Sequence, residues 1–350
     1  MRDADVGTEA GPGSAAETLA ARACTNAAIA AAFAGGSPAA SRAPIMPEST
    51  SPEPAVAAQD PDFAIQGEYL GEGVLPDGSQ GKLGVQVVAR GDGKFEVFIL
   101  VGGLPGEGWD RNHPRLPGKA TREDGKTSVQ AEGWQGVIEN GEMTLKHEKG
   151  EIKLKRVERK SPTLDQKPPE GAVVLFDGKN TDAFDNGTLL PDGSLLSGVT
   201  TKQGFGSYKL HLEFRLSWMP RALGQARSNS GMYLHDCYEV QVLDSFGLTG
   251  EDNECGGIYK VKSPDVNMCL PPLVWQTYDV EFTAPKYENG QKVANARLTL
   301  RHNGVVIHDN LELPTATPGR QAEGPAPRPI HLQAHGNRVV YRNIWLVPKV

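Results

Sequence analysis

The segment Ser207–Trp218 alternates strictly between apolar and polar positions. Leu210, Leu212, Phe214 and Leu216 fall on one side, and Lys209, His211, Glu213 and Arg215 on the other. A period of two with one apolar face predicts a half-buried antiparallel strand. "WQTYDVEFTAP" (275–285) and "ARLTLRHNGVVIHDNLEL" (296–313) repeat the theme, and His302-Asn303-Gly304 predicts a hairpin turn between two of these strands. "PIHLQAHGNRVVYRNIWLV" closes the pattern, and no long helical periodicity interrupts it. The expected fold class is all-β, and roughly 180 residues of such strands favour a two-sheet sandwich with a curved surface suited to a ligand.

Upstream the apolar runs are shorter. "GKLGVQVVAR", "GKFEVFILVGG", "GWQGVIENG", "EMTLKHEKG" and "EIKLKRVER" are separated by Gly, Asn and Asp turns. They predict a small antiparallel β-meander over 63–160, of a size fit for a separate accessory domain. "ERKSPTLDQKPPEG" (158–171) reads as a connector, with the linker at 161–170 and the sandwich over 171–350. Residues 1–62 are Ala-, Pro- and Ser-rich and read as a disordered tail. "TNAAIAAAFAGGSPAAS" within it resembles a weak export signal, but a long acidic stretch precedes it where a signal peptide begins basic.

Charge narrows the function classes. The net charge is −7, with three basic and eight acidic residues before Phe63, so the tail carries −5 and the remainder only −2. No basic patch of the kind nucleic acid requires is present, and no apolar run approaches the roughly 20 residues of a membrane span. Cys24, Cys237, Cys255 and Cys269 lack CxxC or zinc-ligand spacing, and either a Cys255–Cys269 disulfide or free buried thiols fits.

The chemistry concentrates in "SNSGMYLHDCYEVQVLDSFG" (228–247). Alternation sends Tyr238, Val240 and Val242 one way and Glu239, Gln241 and Leu243 the other. Tyr233 and His235 of the preceding strand are expected on one face, beside Glu239, with Asp244 at the strand end. A ring, an imidazole, an amide and a carboxylate on one face suit a sugar, whose C–H face stacks while its hydroxyls take hydrogen bonds. His335 sits in a turn after a later strand, and no HExxH, GxSxG or CxxC motif competes.

"VVLFDGKNTDAF", "SNSGMYLHDCYEVQVLDSFG", "CGGIYKV…PDVNMCLPPLVWQTYDVEFTAP", "HNGVVIHDNLEL" and "IHLQAHGNRVVYRNIWL" occur in that order. Together they resemble the bacterial 3-keto-disaccharide hydrolase family, also called 3-keto-glucoside 1,2-lyase/3-keto-2-hydroxy-glucal hydratase domains, from about Gly171 to Val350. "GLPGEGWD" resembles, more weakly, an N-terminal β module that some members carry. The resemblance implies a concanavalin A-like jelly-roll sandwich acting on sugars oxidised at C3; the enzyme reading is expected in a periplasmic or secreted setting. The family's motifs fall on Tyr238–Ser245 and Leu332–Asn337, and the chemistry such a site needs makes Glu239 and His335 the acid/base candidates, with Tyr233, His235, Gln241, Asp244 and Asn267 as substrate-binding candidates. Gln241 and Asp244 are also candidates for holding a divalent metal, for which there is no clean ligand motif. Two positions depart from the family pattern: His235 stands where arginine is common, and Ala334 where aspartate is common. The alternative on the same fold is a non-catalytic carbohydrate-binding module.

Overall fold

The structure, a computed structural model, describes residues 53–349. Most of the tail expected over 1–62, including Cys24 and the export-like stretch, lies outside the described residues. Its last ten residues depart from that expectation. Glu53–Ala57 and Pro61–Ile65 are helical turns, the second capped by Asp60, whose Oδ1 accepts the Asp62 N–H at 2.9 Å. Asp62 is buried and accepts from Arg122 at 2.8 Å and from the Gly93 N–H at 2.9 Å. Composition alone could not reveal an anchor whose partner lies 60 residues away.

The expected meander closes on itself. Its strands are Gly67–Val74, Gln80–Gly91, Lys94–Val101, Arg115–Glu123, Lys126–Ala131, Trp134–Glu139, Glu142–His147 and Gly150–Val157, each antiparallel to the next. The last pairs with the first, from Glu68 opposite Val157 to Gly71 opposite Leu154, which completes a barrel. Closure leaves no edge strand exposed. Val85, Val87, Val97, Ile99 and Leu145 point inward and form a core of the barrel's own.

The sandwich follows the alternation closely. Its larger sheet runs in the order Val173–Phe176, Val340–Pro348, Tyr208–Arg215, Trp275–Thr283, Ala296–His302 and Val305–Leu313, with Leu195–Leu196 also paired to Val340–Pro348. The smaller sheet runs Phe184–Asp185, Val199–Thr201, His331–Leu332, Asn229–Leu234 and Tyr238–Leu243. Leu210, Leu212 and Phe214 from one sheet share a core with Met232, Val240 and Val242 from the other. Each such side chain contributes roughly 1.5–3 kcal/mol by leaving water. The predicted hairpin forms: Asn303 (φ 50°) and Gly304 (φ 80°) link strands that pair His302 with Val305. Positive φ at both central positions matches the right-handed twist of the flanking strands.

The polar face of Tyr208–Arg215 is not solvated as its pattern predicts. His211 and Glu213 are buried because residues 161–170, read as a connector, lie along that face. The Asp165 N–H donates to Glu213 Oε1 at 2.6 Å, Thr163 Oγ1 to Asp279 at 2.6 Å, and Trp345 Nε1 to the Gln166 carbonyl at 3.2 Å.

Candidate active site

A cleft of about 300 Å³ opens on the outer face of the smaller sheet. Its floor is built by two neighbouring strands whose register places Tyr233 opposite Glu239 and Gly231 opposite Gln241. Alternation turns Met232, Val240 and Val242 into the core, which leaves Asn229, Tyr233, Glu239 and Gln241 for the cleft. The chain after His331–Leu332 brings Gln333 and His335 to one wall, with the Gln333 N–H donating to the Gly231 carbonyl at 2.8 Å.

The outer edge of Tyr238–Leu243 would otherwise stand open. The "CGGIYK" loop covers it: the Gln241 N–H donates to the Gly257 carbonyl and the Gly256 N–H to the Gln241 carbonyl, both at 2.9 Å. This pairing delivers Tyr259 and Lys260 to the opposite wall. Lys260 adopts φ 58°, a left-handed conformation uncommon for a side-chain-bearing residue.

Glu239 is the chemically distinctive group. Burial lifts its carboxyl to about 7, and a hydrogen bond from the Tyr233 hydroxyl offsets only part of that rise. Among the described residues it forms no salt bridge with a cation within 4 Å. Tyr233 is pushed well above the usual phenol range by burial and by the Glu239 charge, so it keeps its proton and donates. Close approach explains Gly231: a Cβ there would run into Glu239 Oε1.

Beside the carboxylate lies a network of amides. Asn229 Nδ2 donates to the Gln225 carbonyl at 2.8 Å and to Gln225 Oε1 at 3.0 Å. Gln241 Nε2 donates to the same Oε1 at 3.0 Å, and Gln225 Nε2 to the Asn253 carbonyl at 2.8 Å. Asn229 Oδ1 is buried with no hydrogen-bond partner, an acceptor suited to a sugar hydroxyl.

Of the seven sequence-derived candidates, the structure brings Tyr233, Glu239, Gln241 and His335 to the cleft. His235 is a correction. His235 (φ 53°) and Asp236 (φ 54°) form the turn between the two strands, so the alternation ends at Leu234 and the imidazole turns inward. It packs 5.8 Å from the Phe282 ring, and burial followed by the nearby Arg328 charge lowers it to about 4.

Asp244 is also away from the cleft. The strand ends at Leu243, and Asp244 accepts a buried ion pair from Arg227 at 2.6 Å. Asn267 is engaged in loop structure, donating to the Ser245 and Leu248 carbonyls and accepting from the Cys269 N–H. Cys237, Cys255 and Cys269 are free and buried, so the thiol alternative describes this structure.

The lining residues do not fit a divalent metal as they stand. One high-affinity-for-proton carboxylate and an exposed imidazole are the only charged-ligand donors there, and no group of three His, Cys, Asp or Glu side chains is arranged for an ion among the described residues. No described helix is long and apolar enough to cross a membrane. Gln225, Tyr259, Lys260 and Gln333 were not singled out from the sequence. The first three arrive on loops with no period to read, although a Lys after "GGIY" in a turn-rich stretch was the one available hint.

No curated protein matches the chain. A crystal structure of a presumed glycosyl hydrolase from Parabacteroides distasonis is 30% identical, aligned over 52% of this chain and 85% of its own, with a TM-score of 0.48. Another from the same organism is 16% identical over 55% of this chain and 100% of its own, with a TM-score of 0.40. The model of the 3-keto-alpha-glucoside-1,2-lyase-like domain matches residues 171–347, the segment that forms the sandwich and its cleft, and the chain belongs to that family.

Proposed function

We propose that the cleft cleaves 3-keto-glycosides by proton abstraction and elimination. The observation that carries this reading is a buried carboxyl, Glu239, poised at about 7 on the floor of an amide-lined cleft. A base of that proton affinity matches a C–H made acidic by a neighbouring ketone at neutral pH. In the reaction, the Glu239 carboxylate takes the C2 proton and the C2–H electron pair becomes an enolate on the 3-keto oxygen. That pair then forms the C1–C2 double bond as the C1–O bond breaks. His335 protonates the departing oxygen, and Lys260 holds the enolate oxygen while it carries charge. The products are the free aglycone and a 3-keto-2-hydroxy-glucal. Addition of water across C1–C2 returns a proton to C2 and gives the 3-keto sugar.

Tyr233 has a supporting part. Its hydroxyl lies beside Glu239 and moderates the carboxyl's proton affinity. Asn229 and Gln241 take the sugar hydroxyls. The retaining and inverting schemes of ordinary glycosidases require a pair of carboxylates across the bond, and the cleft offers one.

The test is aglycone release from a 3-keto-glucoside beside its unoxidised counterpart. Release from the keto sugar alone is expected, and release from both at similar rates would contradict an elimination that depends on the ketone. Binding of both sugars with turnover of neither would favour a carbohydrate-binding module. A parallel arm with chelator is expected to leave release unchanged, because the lining does not fit a divalent cation, and loss of release there would contradict that reading.

A further inference from the structure

The barrel touches the sandwich at the two segments that build the amide wall of the cleft. The first, residues 217–229, carries Gln225 and leads into Asn229. Its Trp218 stands edge-on to Phe63 at 5.1 Å and donates to Asp60 at 3.1 Å. Its Arg221 pairs with Asp92 at 2.6 Å, in the barrel turn that follows Gln80–Gly91. Its Arg227 reaches the Ala89 carbonyl at 3.2 Å while holding Asp244.

The second segment, residues 244–254, carries Asn253, whose carbonyl accepts from both Gln225 and Gln241. Barrel residues hold it from the other side. Arg115 donates to the Gly247 carbonyl at 2.5 Å, and Arg111 donates to the carbonyls of Gly250, Pro264 (2.9 Å) and Asp265 (3.1 Å). Val88, Phe98 and Leu100 point out of the barrel and are buried in the core cluster of the sandwich. Gly247 (φ 79°) lies so close to the barrel that a Cβ there would collide with Val88 and press against Phe98.

We propose that the barrel is a positioning module for the cleft: it fixes Gln225, Asn229 and Asn253 in register with Gln241, and so sets the wall that binds the sugar beside Glu239. Arg111 and Asp92 are the positioning residues on the barrel side. The two gripped segments meet at one point, the Gln225–Asn253–Gln241–Asn229 network, where Gln225 and Asn253 themselves belong to no strand. Arg111 is suited to the task because a guanidinium can donate to several carbonyls at once from one fixed fork, which a lysine cannot.

This inference rests on the proposed reading of the cleft, and the experiment separates the two. Arg111→Ala and Asp92→Ala are made in the full chain, with Lys126→Ala on the far side of the barrel as a control and Arg111→Lys as a partial rescue. Amide hydrogen exchange and steady-state kinetics on a 3-keto-glucoside are measured on each. Faster exchange confined to 225–229 and 250–254 is expected, together with a rise in KM of about 3- to 10-fold, the loss of one or so hydrogen bonds to the sugar. The expected kcat stays within about twofold, because wall contacts bind ground and transition states alike. Arg111→Lys is expected to fall between Arg111→Ala and wild type.

Unchanged exchange at both segments overturns the proposal, as does faster exchange with an unchanged KM, which makes the contacts structural only. If the wild-type protein releases no aglycone, the reaction proposed for the cleft fails by itself. Affinity for the unoxidised glucoside then replaces KM, with the same expected and contrary results.

Discussion

Glu239→Gln is expected to lower kcat on a 3-keto-glucoside by about 10²–10⁴-fold, the range associated with removing a general base. Glutamine keeps the shape of the side chain and cannot accept the C2 proton. KM is expected to move little, because the amides that hold the sugar are untouched. Single-turnover kinetics on the variant, with substrate affinity measured separately, check both halves. A loss of affinity with kcat preserved would make Glu239 a binding residue instead.

The same substitution has an expected signature in stability. Glu239 ionises near 4.5 in the unfolded chain and at about 7 in the folded protein. Between those values the folded form binds more protons than the unfolded one, so stability falls as pH rises through that window. Above pH 7 the ionised carboxylate costs about 3 kcal/mol relative to acid conditions, and glutamine removes the cost. Glu239→Gln is therefore expected to be more resistant to denaturant than wild type at pH 8–9, with the advantage vanishing below about pH 4.5.

Gly231→Ala is the second large effect. Position 231 faces Gln241 across the sheet and lies beside Glu239, where a Cβ meets Oε1 directly. The methyl group pushes the carboxylate from its seat by something near an ångström, and a misplacement of that size costs about 10²-fold in rate. The strand itself tolerates alanine, since no positive φ is required at 231, so the melting temperature is expected to change by only a few degrees. A variant that loses activity together with its fold would instead point to a packing role. A variant that keeps wild-type activity would mean that Glu239 reaches its working position from another rotamer.

The architecture was legible where the signal is local. Strict alternation over Tyr208–Arg215 placed Leu210, Leu212 and Phe214 correctly in the core, and Asn303-Gly304 marked a hairpin that is present. Closure of the barrel was not legible, because it depends on pairing Glu68 with Val157, and the first and last strands look like any others. Residues 161–170 carry no period, so their course over His211 and Glu213 had no local trace.

The cleft divides in the same way. Glu239 and Gln241 follow from alternation and Tyr233 from the register of its partner strand. His235 was misplaced because two left-handed residues end the alternation one position early, and dihedral angles are not written in a residue pattern. Asp244 was expected on the cleft face because a bulge or turn at the strand end could bring it there, whereas it is held by Arg227, a partner 17 residues back. Gln225 and Lys260 reach the cleft only through contacts between loops, the part of a fold that sequence periodicity carries least.

The most direct measurement compares aglycone release from a 3-keto-glucoside carrying deuterium at C2 with release from the protiated sugar. If Glu239 removes that proton in the rate-determining step, the deuterated substrate reacts more slowly, and the difference grows when Glu239→Asp makes the transfer harder. Equal rates for the two substrates in that weakened variant, with aglycone still released, would contradict proton abstraction at C2 as the way this cleft breaks the glycosidic bond.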